Sequence, residues 1–107
     1  MKFEIVFCTP HGELKLSEFE RVLLEQRSYD EPILSGFLSE HQGFYSISRN
    51  IVNEKFYVYQ GSYISFQNKS FDDWERKVTN LARKLKEMFK QDEVWITFMP
   101  TDNVIKV

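Results

Sequence analysis

Phe3, Ile5 and Phe7 alternate with Glu4, Val6 and Cys8 in the first eight residues, a period-two pattern that predicts a strand over 2–8. Both faces of that strand are apolar, so it belongs in the middle of its sheet. Pro10, His11 and Gly12 break it, and Ser17 stands three residues before Glu20 at capping-box spacing, opening a helix from about 18 to 26 that shows Phe19, Val22 and Leu23 on one side. Short β-like runs follow at 33–39, 43–48, 55–60 and 63–67. They are punctuated by His41-Gln42-Gly43, Asn50 to Asn53 and Gly61-Ser62, the last reading as a two-residue hairpin turn. Ser70 caps a second helix over about 71–91, whose stripe is Trp74, Val78, Leu81, Ala82, Leu85, Met88 and Phe89. Residues 93–99 alternate again, with Val94, Ile96 and Phe98 on one face and Trp95, Thr97 and Met99 on the other. A short strand over 103–107 can follow Pro100.

Strand, helix, strands, helix, strand is the order of a ferredoxin-like α+β fold: one antiparallel sheet with two helices on one face, with room for an extra hairpin within 33–67. The 107 residues make a single domain, 1–107. Two stretches, Cys8-Thr9-Pro10-His11-Gly12 with Ser17 after it and Phe89 to Trp95, resemble the two ends of a small bacterial ferredoxin-like family without a known activity. The resemblance implies the fold and carries no function.

Composition narrows the function classes. Fourteen Lys and Arg against sixteen Asp and Glu give a net charge of −2, which offers no general attraction to nucleic acid. No apolar run approaches the roughly 20 residues of a membrane span, and Met1 to Thr9 lacks the features of a secretory leader. A single cysteine suits a reducing compartment, so a cytoplasmic protein is expected.

Candidate chemistry is sparse. Cys8, His11 and His41 are the residue types of a nucleophile with its base, or of a metal site, but no ligand spacing supports either. The plainer expectation is a small buried hydrophobe followed by a solvated turn histidine, with no metal and no cofactor. Glu13, Glu18 and Glu20 are accounted for by the first helix's N-terminus, and no glycine-rich phosphate loop occurs. Lys55 to Tyr59 is similar in aromatic pattern to RNA-recognition strands, but the glycines of that motif are missing. Arg76, Lys77, Arg83, Lys84, Lys86 and Lys90 lie opposite the apolar stripe of the second helix, a solvated face or a contact for an acidic protein partner or nucleic acid.

Aromatic residues make 16% of the chain, more than a small core needs. If Phe3, Ile5, Phe7, Phe56, Val58, Val94, Ile96 and Phe98 pack under the helices, alternation puts Val6, Cys8, Tyr57, Tyr59, Trp95 and Met99 on the opposite face. Tyr57, Tyr59, Trp95 and Met99 then form an aromatic contact surface for a protein partner or a second copy. The leading expectation is therefore a non-enzymatic binding protein, specialised as an inhibitor or immunity protein of a bacterium or phage. The alternative is a small dimeric enzyme or ligand-binding protein with its pocket between sheet and helices near His11, His41 and Trp95, and a weak RNA binder is the third reading.

Overall fold

The computed structural model describes residues 1–10, 12–26, 32–64 and 68–100. Its elements are β1 (Lys2–Phe7), α1 (Leu16–Gln26), β2 (Phe37–Ile47), β3 (Asn50–Ser62), α2 (Phe71–Met88) and β4 (Trp95–Met99). The four strands form one antiparallel sheet in the order β2-β3-β1-β4, with β1 inside as its two apolar faces require.

In place of the short runs expected at 33–39, 43–48 and 55–60, two long strands stand, and most of the run expected at 63–67 lies outside the described residues. β2 has 11 residues and β3 has 13, paired without a break from Phe37↔Gln60 to Ile47↔Asn50. The hairpin turns at Ser48-Arg49, and Ser48 takes a φ of 55°, a conformation that glycine or asparagine adopts more easily. The expected breakers lie inside strands. At Gly43 a Cβ would collide with the ring of Phe56, and at Gly61 it would collide with the carbonyl of Ser35, so both glycines admit a close neighbour rather than a turn. Gly61-Ser62 is thus the end of β3, and its pairing with β1 runs Phe3↔Gly61, Ile5↔Tyr59 and Phe7↔Tyr57.

Both helices cover the face that carries Phe3, Ile5 and Phe7, all essentially inaccessible. From α1, Phe19 stacks 5.9 Å from Phe7 and meets Tyr59 edge-on at 5.0 Å. From α2, Trp74 sits 5.8 Å from Phe3 and 5.7 Å from Phe98, while Val78, Leu81 and Leu85 are fully buried. The Ser70 side chain accepts from Asp73 N–H at 3.1 Å, satisfying one of the free donors at the start of α2. The helix ends three residues before the sequence pattern suggests: Phe89 caps it, and Lys90 takes a φ of 51° while the N–H groups of residues 89–91 close on the last carbonyls.

Two tyrosines overturn the expected parity of β3. Tyr57 and Tyr59 point toward the helices, 6% and 3% exposed, and Phe56 and Val58 take the opposite face. Polar tips make this burial tolerable. The Tyr57 hydroxyl donates to Gly12 O at 3.0 Å and accepts from Leu14 N–H at 2.9 Å, and the Tyr59 hydroxyl donates to Leu34 O. The rings therefore fasten the loops before α1 and before β2 to the core.

Candidate functional site

The sheet face away from the helices is uncovered among the described residues, and its composition follows from register alone. One row crosses all four strands: Trp95 on β4, Val6 on β1, Val58 on β3 and Ser39 on β2. The neighbouring row holds Thr97, Glu4, Gln60 and Phe37 in the same strand order. Past the last β1–β3 pair the face continues on the hairpin alone, with Phe56 opposite His41, Glu54 opposite Gly43 and Val52 opposite Tyr45.

A carboxylate is fixed on this surface. Tyr45 Oη donates to Glu54 Oε2 at 2.9 Å, and this bond holds the Tyr45 hydroxyl above its ordinary pKa, because ionising it would lose the bond and set two negative charges together. Cys8, at the end of β1, is buried and stands near enough to Glu54 to feel its charge. Burial, then Glu54, push its thiol up to about 11, so at neutral pH it is a hydrogen-bond donor and a poor nucleophile. The ring of Phe56 leans across Gly43, beside Glu54. The outcome is a half-buried carboxylate with one fixed hydroxyl partner, on a surface of rings and aliphatic side chains.

Of the residues singled out from the sequence, the structure brings some here and sends others away. Trp95, 63% exposed, and Met99 lie on the open face as alternation requires. Tyr57 and Tyr59 are core residues, so the contact surface that joined them to Trp95 is corrected: its β3 members are Phe56 and Val58. His41 sits on β2 with Nε2 2.8 Å from Ser39 Oγ, and β3 separates it from the strand that Cys8 follows. A Cys8–His41 pair is thereby ruled out. His11 lies outside the described residues, as does the expected strand over 103–107. A pocket between sheet and helices near His41 and Trp95 is also corrected, since both residues occupy the face opposite the helices.

The basic face of α2 is smaller than the spacing suggests. Lys77 is buried, with Nζ 3.2 Å from Asn68 Oδ1 and 3.4 Å from Asp73 Oδ2. Arg76 is taken up by Asp73, Lys84 Nζ lies 3.9 Å from Glu25, and Lys90 falls beyond the helix. Arg83 and Lys86 stay exposed, interleaved with Asp72, Glu75 and Glu87. Among the described residues, no three His, Cys, Asp or Glu side chains gather closely enough to hold a metal ion, and no helix is long and apolar enough to cross a membrane.

Tyr45 and Glu54 were missed in the sequence because nothing there marks them. They are nine positions apart, and only the two-residue turn at 48–49 folds them onto one face. The usable signal would have been period-two alternation carried through residues 39–58 from the correct turn.

No family model matches the sequence, and no curated protein matches it. The fold does match solved structures. A phage SAM lyase in complex with S-methyl-5′-thioadenosine is similar with a TM-score of 0.64 and 19% identity, over 89% of this chain and 76% of that one. A phage SAM lyase in its apo state is similar with a TM-score of 0.64 and 18% identity, over 89% of this chain and 75% of that one. This likeness overturns the expectation of a non-enzymatic inhibitor or immunity protein. That expectation rests in part on the lack of any catalytic motif, beside the small size, the charge balance and the aromatic face, and an enzyme has a similar fold, so a missing motif is no argument against catalysis here.

Proposed function

We propose that the chain is a small enzyme of ferredoxin-like subunits acting on S-adenosylmethionine or a closely related sulfonium nucleoside, with the open sheet face as its site. The order β1-α1-β2-β3-α2-β4 and the sheet order β2-β3-β1-β4 support the ferredoxin-like reading. The observation that carries the functional one is the Glu54 carboxylate held by Tyr45 on an aromatic and aliphatic surface.

The chemistry of the substrate class explains why such a surface suits it. A sulfonium is a cation that cannot donate a hydrogen bond, so a site recognises it by a nearby negative charge and by the electron-rich faces of aromatic rings. Glu54 supplies the charge, and Tyr45 and Phe56 beside it supply rings for the cation and the flat purine, with Trp95 on the same face two strands away. Cleaving the carbon–sulfur bond that releases S-methyl-5′-thioadenosine returns its electron pair to sulfur and leaves a neutral thioether, while the substrate's own carboxylate oxygen bonds to the carbon that sulfur leaves and closes a lactone, so that bonds and charges balance with no further reactant. An apolar surface favours that loss of charge, because it solvates the cation less well than water does. Tyr45 is assigned as the positioning residue for Glu54, and Cys8 as a neutral neighbour whose thiol stays protonated.

The test is incubation of the purified protein with S-adenosylmethionine, chromatographic detection of S-methyl-5′-thioadenosine, and comparison with Glu54→Gln and Tyr45→Phe. Turnover by the parent, a loss of at least tenfold in Glu54→Gln and a smaller loss in Tyr45→Phe are expected. Absence of both turnover and binding in the parent, or full activity of Glu54→Gln, contradicts the assignment.

A further inference from the structure

The hairpin of β2 and β3 is longer than the sheet that supports it. β1 pairs with β3 only over residues 57–62, so 41–47 of β2 and 50–56 of β3 run on as a two-stranded arm. Two strands alone are marginal in water, and this arm exposes Phe44 by 68% and Ile51 by 79%, with Tyr45 and Ile47 also exposed. The arm also stretches the molecule. The radius of gyration is 15.1 Å, where a compact chain of this length has about 13 Å.

β2 is moreover an edge strand of 11 residues, FLSEHQGFYSI, with none of the proline, lysine or arginine that proteins use to blunt an edge. Its outward backbone groups form a template for another strand. We propose that this strand is β2 of a second copy, paired antiparallel about a two-fold axis at Gln42.

Three features select that occupant and that register. Centring on Gln42 is the one arrangement that pairs all 11 residues, Phe37 meeting Ile47 of the second copy and Ser39 meeting its Tyr45. It lays residues 43–47, the arm of one copy, along residues 37–41 of the other, four of which (37–40) pair with residues 57–60 in the four-stranded body. Each arm then gains the third and fourth strands it lacks. Finally, Glu40, the strand's one acid, meets Phe44 of the second copy and not another Glu40, and His41 meets Gly43. The resulting eight-stranded sheet carries both Tyr45–Glu54 pairs on one continuous face, and the pairing stands or falls independently of what those pairs bind.

The experiment uses the full chain. Sedimentation velocity across roughly 1–100 µM is expected to show a dimer, and Phe44→Lys with Ile47→Lys together are expected to give a monomer with unchanged circular dichroism. If that pair fails to fold, cross-linking decides independently. In a Cys8→Ser background, Gln42→Cys places two thiols opposite each other across the axis, within the Cα separation a disulfide spans. Ser46→Cys places them roughly 27 Å apart at about 3.3 Å per residue. Rapid oxidation to a disulfide-linked dimer for Gln42→Cys and none for Ser46→Cys is the expected pattern. A monomer throughout the concentration range, or an assembly in which Gln42→Cys does not cross-link, overturns the proposal.

Discussion

Replacing Tyr57 by Phe removes one oxygen atom, yet it separates two readings of the whole sheet. In the structure that oxygen accepts from Leu14 N–H at 2.9 Å and donates to Gly12 O at 3.0 Å, holding the loop before α1 against the core. Each hydrogen bond contributes on the order of 1 kcal/mol net, and the Leu14 N–H is left with incomplete compensation from water, so the variant should lose about 1–3 kcal/mol. Urea denaturation followed by the fluorescence of buried Trp74 measures it. With a slope of about 1–3 kcal/mol per molar urea for a small domain, the midpoint should fall by roughly 0.5–2 M while the slope stays constant. Trp95→Ser is the matched control, on the open face and 63% exposed, and should shift stability by no more than about 0.5 kcal/mol. A Tyr57→Phe midpoint indistinguishable from the parent would show a solvated hydroxyl. The register of β3 against β1 would then be wrong by one residue, and with it the composition of the open face.

Other outcomes follow from the same packing. Leu81→Ala and Leu85→Ala, at fully buried positions of α2, should each cost about 2–5 kcal/mol in the same denaturation assay. Lys77→Ala leaves Asp73 Oδ2 without its cation, with Arg76 remaining as a partner of that carboxylate, and Asn68 Oδ1 without its donor, and should destabilise by about 1–3 kcal/mol where Arg83→Ala changes little. Burial raises Tyr59 to about 12, so its contribution to stability is complete below pH 10, its unfolded value, and is lost as pH rises through 12; an alkaline denaturation curve of Tyr59→Phe should lack that component. The Cys8 thiol, pushed up to about 11, should react slowly with a disulfide reagent at pH 8 in the native protein and rapidly once urea exposes it.

Elements with strong periodicity were legible in the sequence. α2, with its Ser70 cap and its stripe from Trp74 to Phe89, stands where the pattern puts it apart from its last turn, and β1 and β4 show the expected faces. The hairpin was not legible, for two physical reasons. Its turn uses Ser48 and Arg49 instead of glycine, while Gly43 and Gly61 sit in strands because neighbouring atoms occupy the space a Cβ needs. In addition, Phe56-Tyr57-Val58-Tyr59 is apolar at every position, so alternation cannot tell which pair faces the helices. What decides the parity is three-dimensional: the two hydroxyls find carbonyls in the loops at Gly12 and Leu34, and phenylalanine or valine would leave those carbonyls unpartnered. Trp95 and Met99 could be assigned to the open face in advance, whereas Tyr45 and Glu54 could not, since their meeting depends on that same turn.

In the proposed function a sulfonium nucleoside is held on the open sheet face at Glu54. Amide and indole chemical shifts recorded by NMR during titration with S-methyl-5′-thioadenosine, the thioether product of such a reaction, test it most directly. Saturable shifts are expected at Tyr45, Glu54 and Phe56, weakened in Tyr45→Phe, with α2 residues such as Arg83 and Lys86 unaffected. Shifts confined to α1 or α2, or none at millimolar ligand, would overturn that assignment.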